Sequence, residues 1–144
     1  MQETQGSQKE GLVFEVIYYS RGGNTARVAD SIASELGATA SDVKTGREPS
    51  QDSFLFLGSG CYYGKPGKEM IDFIQSHDFK GRKVALFGTS GNGRGQETTA
   101  MEEMLKGKGC NVVGKFCCTG SSTSGHPDAA ELEGARAFAR KMKA

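Results

Sequence analysis

The chain has 144 residues, of which 18 are Lys or Arg and 17 are Asp or Glu, so the formal net charge is +1. This length is typical of one domain, and we predict a flexible segment over residues 1–10 followed by a single domain over residues 11–144. Because charges of both signs are interspersed, no nucleic-acid partner is expected. The polar N-terminus lacks a signal peptide and the apolar runs are too short to span a bilayer, so we expect a cytoplasmic protein with no membrane partner.

The cysteines are predicted to be reduced thiols. Cys61, Cys110, Cys117 and Cys118 lack paired C-x-x-C spacing, and the chain has only 2 histidines, so no metal site is predicted. Cys117 and Cys118 fall in a predicted strand, where one is a small core residue and its neighbour faces the other way. A vicinal disulfide between them is the alternative.

Apolar runs followed by glycine and small polar residues predict four buried parallel strands, at residues 12–19, 53–57, 83–87 and 111–118. Residues 38–44 are half polar and predict a fifth strand at the edge of the sheet. The segment that follows this edge strand is short for a full helix, so a turn or a brief helix is expected there.

Apolar residues at helical spacing predict four helices between and after these strands. The first carries Val28, Ile32 and Leu36, with Gly37 at the expected C-cap. The others are marked by Met70, Phe73 and Ile74, by Met101, Met104 and Leu105, and by the apolar face that follows Pro127 and Asp128. Strands that alternate with helices predict an α/β fold, a doubly wound parallel sheet with helices on both faces.

Three glycine-rich segments follow central strands, and in doubly wound sheets ligands bind at the carboxyl ends of the strands. The segments are SRGGNT at residues 20–25, GSGCYYGK at residues 58–65 and GTSGNGRG at residues 88–95. We refer to them as the first, second and third loops. All three are expected at the same edge of the sheet.

The first loop has the composition of a phosphate site. It runs from a strand directly into a helix, where unpaired N–H groups and the helix dipole attract anions. Gly22 and Gly23 allow close approach of the backbone, and Ser20, Asn24 and Thr25 add side-chain hydrogen bonds. An ordinary N-cap at Asn24 or Thr25 is the alternative. No G-x-G-x-x-G or P-loop motif is present, which argues against NAD and ATP sites of the usual kinds.

The second and third loops are suited to a flat ring. Tyr62 and Tyr63 can stack on an aromatic ligand, while Thr89, Ser90 and Asn92 can bond to its polar edge. Together with the phosphate loop, they predict a phosphorylated aromatic cofactor.

These three segments resemble the FMN-binding loops of the flavodoxin-like family, and the resemblance covers nearly the whole chain after the first ten residues. It implies a three-layer α/β/α fold of the short-chain type, with a five-stranded parallel sheet in the order 2-1-3-4-5. It also implies FMN as the cofactor, with no catalytic acid or base. The cofactor-binding residues implied are Ser20, Arg21, Gly22, Gly23, Asn24, Thr25, Ser59, Gly60, Cys61, Tyr62, Tyr63, Gly64, Thr89, Ser90, Gly91 and Asn92.

Two positions depart from the family pattern. Gly22 stands where flavodoxins usually have Thr, and Arg21 is a candidate to replace the lost hydroxyl as a charged donor. Lys65 stands where flavodoxins often have Asp beside the ring. A cation there should favour a reduced, anionic flavin and removes part of an acidic docking face.

The resemblance implies a small electron carrier that is a monomer or weak dimer and works with redox partner proteins, such as a reductase or a ferredoxin-like donor. We prefer this function to a self-sufficient oxidoreductase. An NAD(P)H-dependent quinone or flavin reductase of the same fold is an alternative, because residues 58–70 and 95–105 are similar to segments of those enzymes. A phosphate-binding module without redox function is a third hypothesis.

Overall fold

The computed structural model describes residues 13–144, with only the backbone of Ser122, so the predicted segment over residues 1–10 lies outside the described residues. The strands are Phe14–Tyr19 (β1), Ala40–Asp42 (β2), Phe54–Gly60 (β3), Lys83–Ser90 (β4) and Asn111–Thr119 (β5). The α-helices are Asn24–Leu36 (α1), Lys68–Ser76 (α2), Gln96–Gly107 (α3) and Ala129–Lys143 (α4). Short 3₁₀ turns cover Val43–Thr45 and Ser122–Ser124.

The five strands form one parallel sheet in the order β2-β1-β3-β4-β5, which confirms the predicted fold and strand order. Two neighbouring parallel strands need a connection that runs back over one face of the sheet, and α1, α2 and α3 provide most of these crossover connections. The carboxyl ends of β1, β3, β4 and β5 therefore meet at one edge, where the predicted loops follow.

Successive residues of the central strands face opposite layers. Ile17 and Leu57 pack with α2 and α3 in one buried cluster, while Val16 and Phe56 pack with α1 and α4 in the other. All four side chains are almost completely buried. The two cores hold the sheet between two helical layers, as expected for strands that are apolar on both faces.

The strand boundaries were partly wrong in the prediction. β3 continues to Gly60 and β4 continues to Ser90, because Gly60 pairs with Thr89 and Ser90 pairs with Thr119. The second and third loops are therefore shorter than predicted. At the sheet edge, β2 has only 3 residues, and the connection to β3 contains a 3₁₀ turn, in agreement with the predicted turn or brief helix.

The four cysteines are free thiols in the structure, so Cys117 and Cys118 do not form a disulfide. Cys118 is buried and Cys117 is half-buried, as their alternation along β5 predicts. Within residues 13–144, none of the helices combines the length and apolar character needed to cross a bilayer.

Candidate functional site

A cavity of about 110 Å³ lies at the carboxyl edge of the sheet, and all three predicted loops contribute to it. Its lining consists mainly of hydroxyl groups, an amide and glycines: Ser20, Gly22, Asn24, Thr25, Gly60, Cys61, Tyr62, Thr89, Ser90, Gly91 and Gly120. The structure thus brings together ten of the sixteen predicted site residues and adds Gly120. The other six flank the cavity in the same loops.

The first loop is organised by its own hydrogen bonds. Ser20 Oγ accepts the N–H of Gly23 at 3.1 Å, which closes the turn before α1. Gly23 is the N-cap residue, with φ of 96°, and no side chain caps the helix. The alternative that Asn24 or Thr25 is the N-cap is therefore wrong, since both are helical. A helix start without a side-chain cap leaves N–H groups for an anion.

Arg21 and Gly22 lie on the exposed side of the first loop. The Arg21 guanidinium carbon lies 4.3 Å from the centre of the Tyr62 ring, and the Arg21 N–H donates to the Tyr62 hydroxyl at 3.1 Å. Gly22 has no positive φ, and a Cβ added there would meet nothing within 4 Å. Arg21 thus ties the first loop to the second, while Gly22 leaves open space.

The second loop separates its two tyrosines. Tyr62 lines the cavity and packs edge-on against Tyr19, with ring centres 5.9 Å apart, and burial raises the pKa of its hydroxyl. Tyr63 is fully exposed. It occupies a tight turn in which Tyr62 and Lys65 exchange two backbone hydrogen bonds, of 2.7 and 3.2 Å.

The two central residues of this turn have positive φ, 56° at Tyr63 and 80° at Gly64. That is the pattern of a type I′ turn, in which Tyr is an unfavourable residue because of its Cβ. The backbone of Tyr63 is therefore strained, and its exposed ring lies on the turn that directly follows Cys61 and Tyr62 of the cavity lining.

Ser59 and Asn92 have positioning roles in the structure. Ser59 is fully buried, donates to the carbonyl of Gly60 at 2.8 Å and accepts the N–H of Gly67 at 2.9 Å. Asn92 Oδ1 accepts from Ser90 Oγ at 3.1 Å and from the N–H of Arg94 at 3.0 Å. These bonds fix the second and third loops.

Gly120 was missed because only three strand ends were considered in the sequence. It follows β5 directly and donates its N–H to the carbonyl of Ser90 at 2.9 Å. A Cβ at Gly120 would lie 2.7 Å from Thr89 Cβ and 3.1 Å from Asn24 Cβ. The glycine after a fourth strand at the same edge was the available signal.

Glu97 was also missed. It is fully buried in the first turn of α3, and neither carboxylate oxygen has a hydrogen-bond partner among the described residues. Burial raises the pKa of this carboxyl group. Burial also raises the pKa of the Cys61 thiol. A glutamate two residues after a glycine-rich loop gives no sequence signal of burial.

His126, Asp128 and Glu131 form a second polar cluster, with candidate ligand atoms within 4.8 Å of one another. The cluster has a structural role at the start of α4. Asp128 and Glu131 form a capping box, and Glu131 also accepts the N–H of Thr119 at 3.1 Å and bonds to His126 Nδ1. These contacts fasten α4 to the end of β5.

Comparison with known proteins agrees with this architecture. A family model described as a flavodoxin domain matches residues 15–125. A flavodoxin of Clostridium beijerinckii is 32% identical over 114 residues, which cover 69% of this chain and 80% of that protein. An uncharacterized protein of Methanocaldococcus jannaschii is 27% identical over 134 residues, covering 83% and 89% of the two chains.

A solved flavodoxin from the domain Archaea superimposes with a TM-score of 0.72 at 19% identity, covering 92% of this chain and all of that one. At this identity the likeness shows a common fold. The family match, the 32% identity to a bacterial flavodoxin and the sheet order together lead to one conclusion: this chain belongs to the flavodoxin family.

Proposed function

We propose that this protein binds FMN and carries electrons between redox proteins. The observation that carries the proposal is the cavity in which the uncapped start of α1 faces the hydroxyls of Thr89 and Ser90. Its relatives include flavodoxins of Clostridium beijerinckii and Megasphaera elsdenii.

The donors of this cavity fit a phosphate monoester. Backbone N–H groups at the start of α1 and the hydroxyls of Ser20 and Thr25 are typical phosphate ligands, and none of the lining residues carries a carboxylate. A volume of about 110 Å³ is too small for a whole flavin. We therefore assign the cavity to the phosphate end and the surface beside Tyr62 and Tyr63 to the ring.

FMN supplies one- and two-electron redox chemistry when bound, and the chain supplies binding, orientation and electrostatics. In this proposal Tyr62 forms one wall of the site, held by Tyr19 and Arg21. The exposed ring of Tyr63 would pack on the flavin ring. Thr89 and Ser90 line the cavity and would face the phosphate end, Asn92 of the third loop would face the polar edge of the ring, and no side chain of the site would act as an acid or base on a substrate.

The charge around the cavity favours an acidic partner protein. Arg21, Lys65 and Arg94, which we term the basic rim, are exposed, and none forms a salt bridge with another described residue. The second loop meets the start of α3, where a Cβ at Gly64 would lie 3.8 Å from Gln96 Oε1. The basic rim takes one residue from each of the three loops. The negative charge of exposed Glu69 offsets part of its positive charge.

We propose that the basic rim docks an acidic redox protein of the ferredoxin type, and that the carrier works as a monomer or weak dimer in the cytoplasm. The four free thiols suit a reducing compartment.

The first experiment measures the visible spectrum of the purified protein and the affinity of the apoprotein for FMN and riboflavin by flavin fluorescence. We expect a flavin spectrum and much tighter binding of FMN than of riboflavin, because riboflavin lacks the phosphate. NADPH alone, or with a quinone, should cause little turnover. Rapid NADPH oxidation would instead favour a reductase, and a colourless protein without flavin affinity would contradict the proposal.

The second experiment tests the partner with the holoprotein and an acidic ferredoxin. Lys65→Glu should slow electron transfer and weaken its dependence on ionic strength. Lys80→Glu is the matched control, because Lys80 is exposed at the amino-terminal edge of the sheet. Equal effects of the two changes would contradict docking at the basic rim.

A further inference from the structure

Glu97 lacks the partners that a buried carboxylate normally requires. Its side chain has no exposed surface, both oxygens are without hydrogen-bond partners among the described residues, and no salt bridge to it occurs there. An isolated charge in such a place costs far more than a neutral carboxylic acid. Burial therefore favours the protonated form of this carboxyl group.

The titratable groups around Glu97 provide no positive charge to pair with a carboxylate. Its carboxyl lies against β4 at Gly88, where any Cβ would overlap Oε2. The titratable groups that face it are the Cys61 thiol, which precedes the tight turn, and the thiols of Cys117 and Cys118 on β5. None of the three can supply a positive charge; burial raises the pKa of Glu97 and outweighs the local backbone and the Cys61 thiol, which lower it.

Glu97 is also one side chain away from the cavity. Cys61 lines the cavity on one side and interacts with the Glu97 carboxyl on the other. Because Glu97 is fully buried, a charge in the cavity acts on its carboxyl group through protein of low dielectric constant. Proton binding at Glu97 and negative charge in the cavity must then influence each other equally.

We propose that Glu97 holds a proton in the folded chain and that negative charge arriving in the adjoining cavity strengthens this hold. The part that concerns the flavin rests on the proposed function. Where Glu97 is ionised, an electron from a one-electron donor enters the ring and a proton from water binds a Glu97 oxygen, which converts carboxylate to carboxylic acid. No bond to the flavin forms. The residue is a redox-linked proton site.

The first test uses the apoprotein and needs no flavin. Infrared spectra across a pH titration should show a buried carboxylic acid band that persists well above the ordinary range of glutamate. The band should be absent in Glu97→Gln and unchanged in Glu103→Gln, which alters an exposed residue of the same helix. A carboxylate at Glu97 throughout neutral pH would overturn the proposal, and the wild-type titration decides this even if Glu97→Gln does not fold.

The second test uses the FMN-loaded protein and follows the reduction potential with pH during dithionite titration. In the wild type, the potential should fall more steeply over the pH range in which Glu97 ionises, and reduced FMN should bind about tenfold more weakly above it. Glu97→Gln should lack this extra slope, and Glu103→Gln should retain it.

Identical slopes in the wild type and Glu97→Gln would overturn the coupling. Absence of flavin binding would refute the proposed function instead, while the infrared result would still decide whether Glu97 holds a proton.

Discussion

The hydroxyl groups of Thr25 and Thr89 lie 2.8 Å apart in a buried hydrogen bond that joins the first turn of α1 to the end of β4. The two residues are 64 positions apart in the chain. This bond fixes the first loop against the third at the wall of the cavity.

Thr25→Val should destabilise the protein by about 1 to 2 kcal/mol, because it leaves the buried hydroxyl of Thr89 without its partner. The double variant Thr25→Val with Thr89→Val should lose less than the sum of the two single changes. Urea unfolding of all three variants measures this. Thr99→Val changes an exposed threonine of α3 and should have little effect. Additive losses would show that the two hydroxyls do not interact.

Gly22→Thr should bind FMN about fivefold more tightly, because the site has room for a side chain and a hydroxyl would supply one more donor to the phosphate. Gly23→Thr is the matched contrast. Its φ of 96° disfavours any Cβ, so the same change should weaken binding and destabilise the loop. Flavin fluorescence titration measures both affinities. Tighter binding by Gly23→Thr than by Gly22→Thr would contradict this description of the loop.

Arg21→Ala should weaken FMN binding by about tenfold, because the first loop loses its positive charge and its contact with the Tyr62 ring. The dependence of the affinity on salt should weaken as well. Arg27→Ala removes an exposed arginine further along α1 and serves as the control. If Arg21→Ala leaves the affinity unchanged, the backbone amides and the hydroxyls of the first loop suffice.

Tyr63→Gly should stabilise the apoprotein by about 1 kcal/mol, because Tyr63 has φ of 56° and glycine accepts positive φ without strain. The same change should weaken FMN binding, since the ring that would pack on the flavin is removed. Tyr63→Phe keeps both the ring and the strain, so its stability and affinity should stay close to the wild type. Thermal unfolding and flavin titration separate these effects. A loss of apoprotein stability in Tyr63→Gly would refute the role of strain.

The contact between His126 and Glu131 should make stability depend on pH. The hydrogen bond to Glu131 raises the pKa of His126 above its ordinary value of 6.5. Burial opposes ionisation of Glu131, but the bonds from His126 and from the amides of Asp128 and Thr119 hold the pKa of Glu131 below its usual value.

A raised histidine pKa stabilises the folded state fully below pH 6.5, and the stabilisation is lost as pH rises through the folded-state pKa. Glu131→Gln should therefore lower the pKa of His126 measured by NMR titration. Above the folded-state pKa of His126, the difference in melting temperature between wild type and variant should become smaller. The difference should not reach zero, because the variant also loses the hydrogen bond between Thr119 and Glu131. A His126 pKa that is the same in both proteins would contradict the contact.

The fold was largely predictable from local pattern. Apolar runs and helical spacing located the strands and helices, and glycine-rich segments marked the loops at their ends, because burial and backbone freedom act on residues near one another in sequence. Their boundaries were less accurate. Gly58 and Ser90 look like loop residues in sequence, yet they continue strands because neighbouring strands supply hydrogen bonds.

The sequence by itself determined the fold class and the three loops whose residue types suit a phosphate and a flat ring. Only the tertiary structure decided which of those residues line the cavity, which are exposed and which begin the helix. It half-buried Tyr62 and exposed Tyr63, made Gly23 the N-cap of α1, and added Gly120 from a fourth strand end. It also buried Glu97 without a partner. Exposure and hydrogen bonding depend on contacts between segments that are distant in the chain. The local sequence pattern does not reveal those contacts.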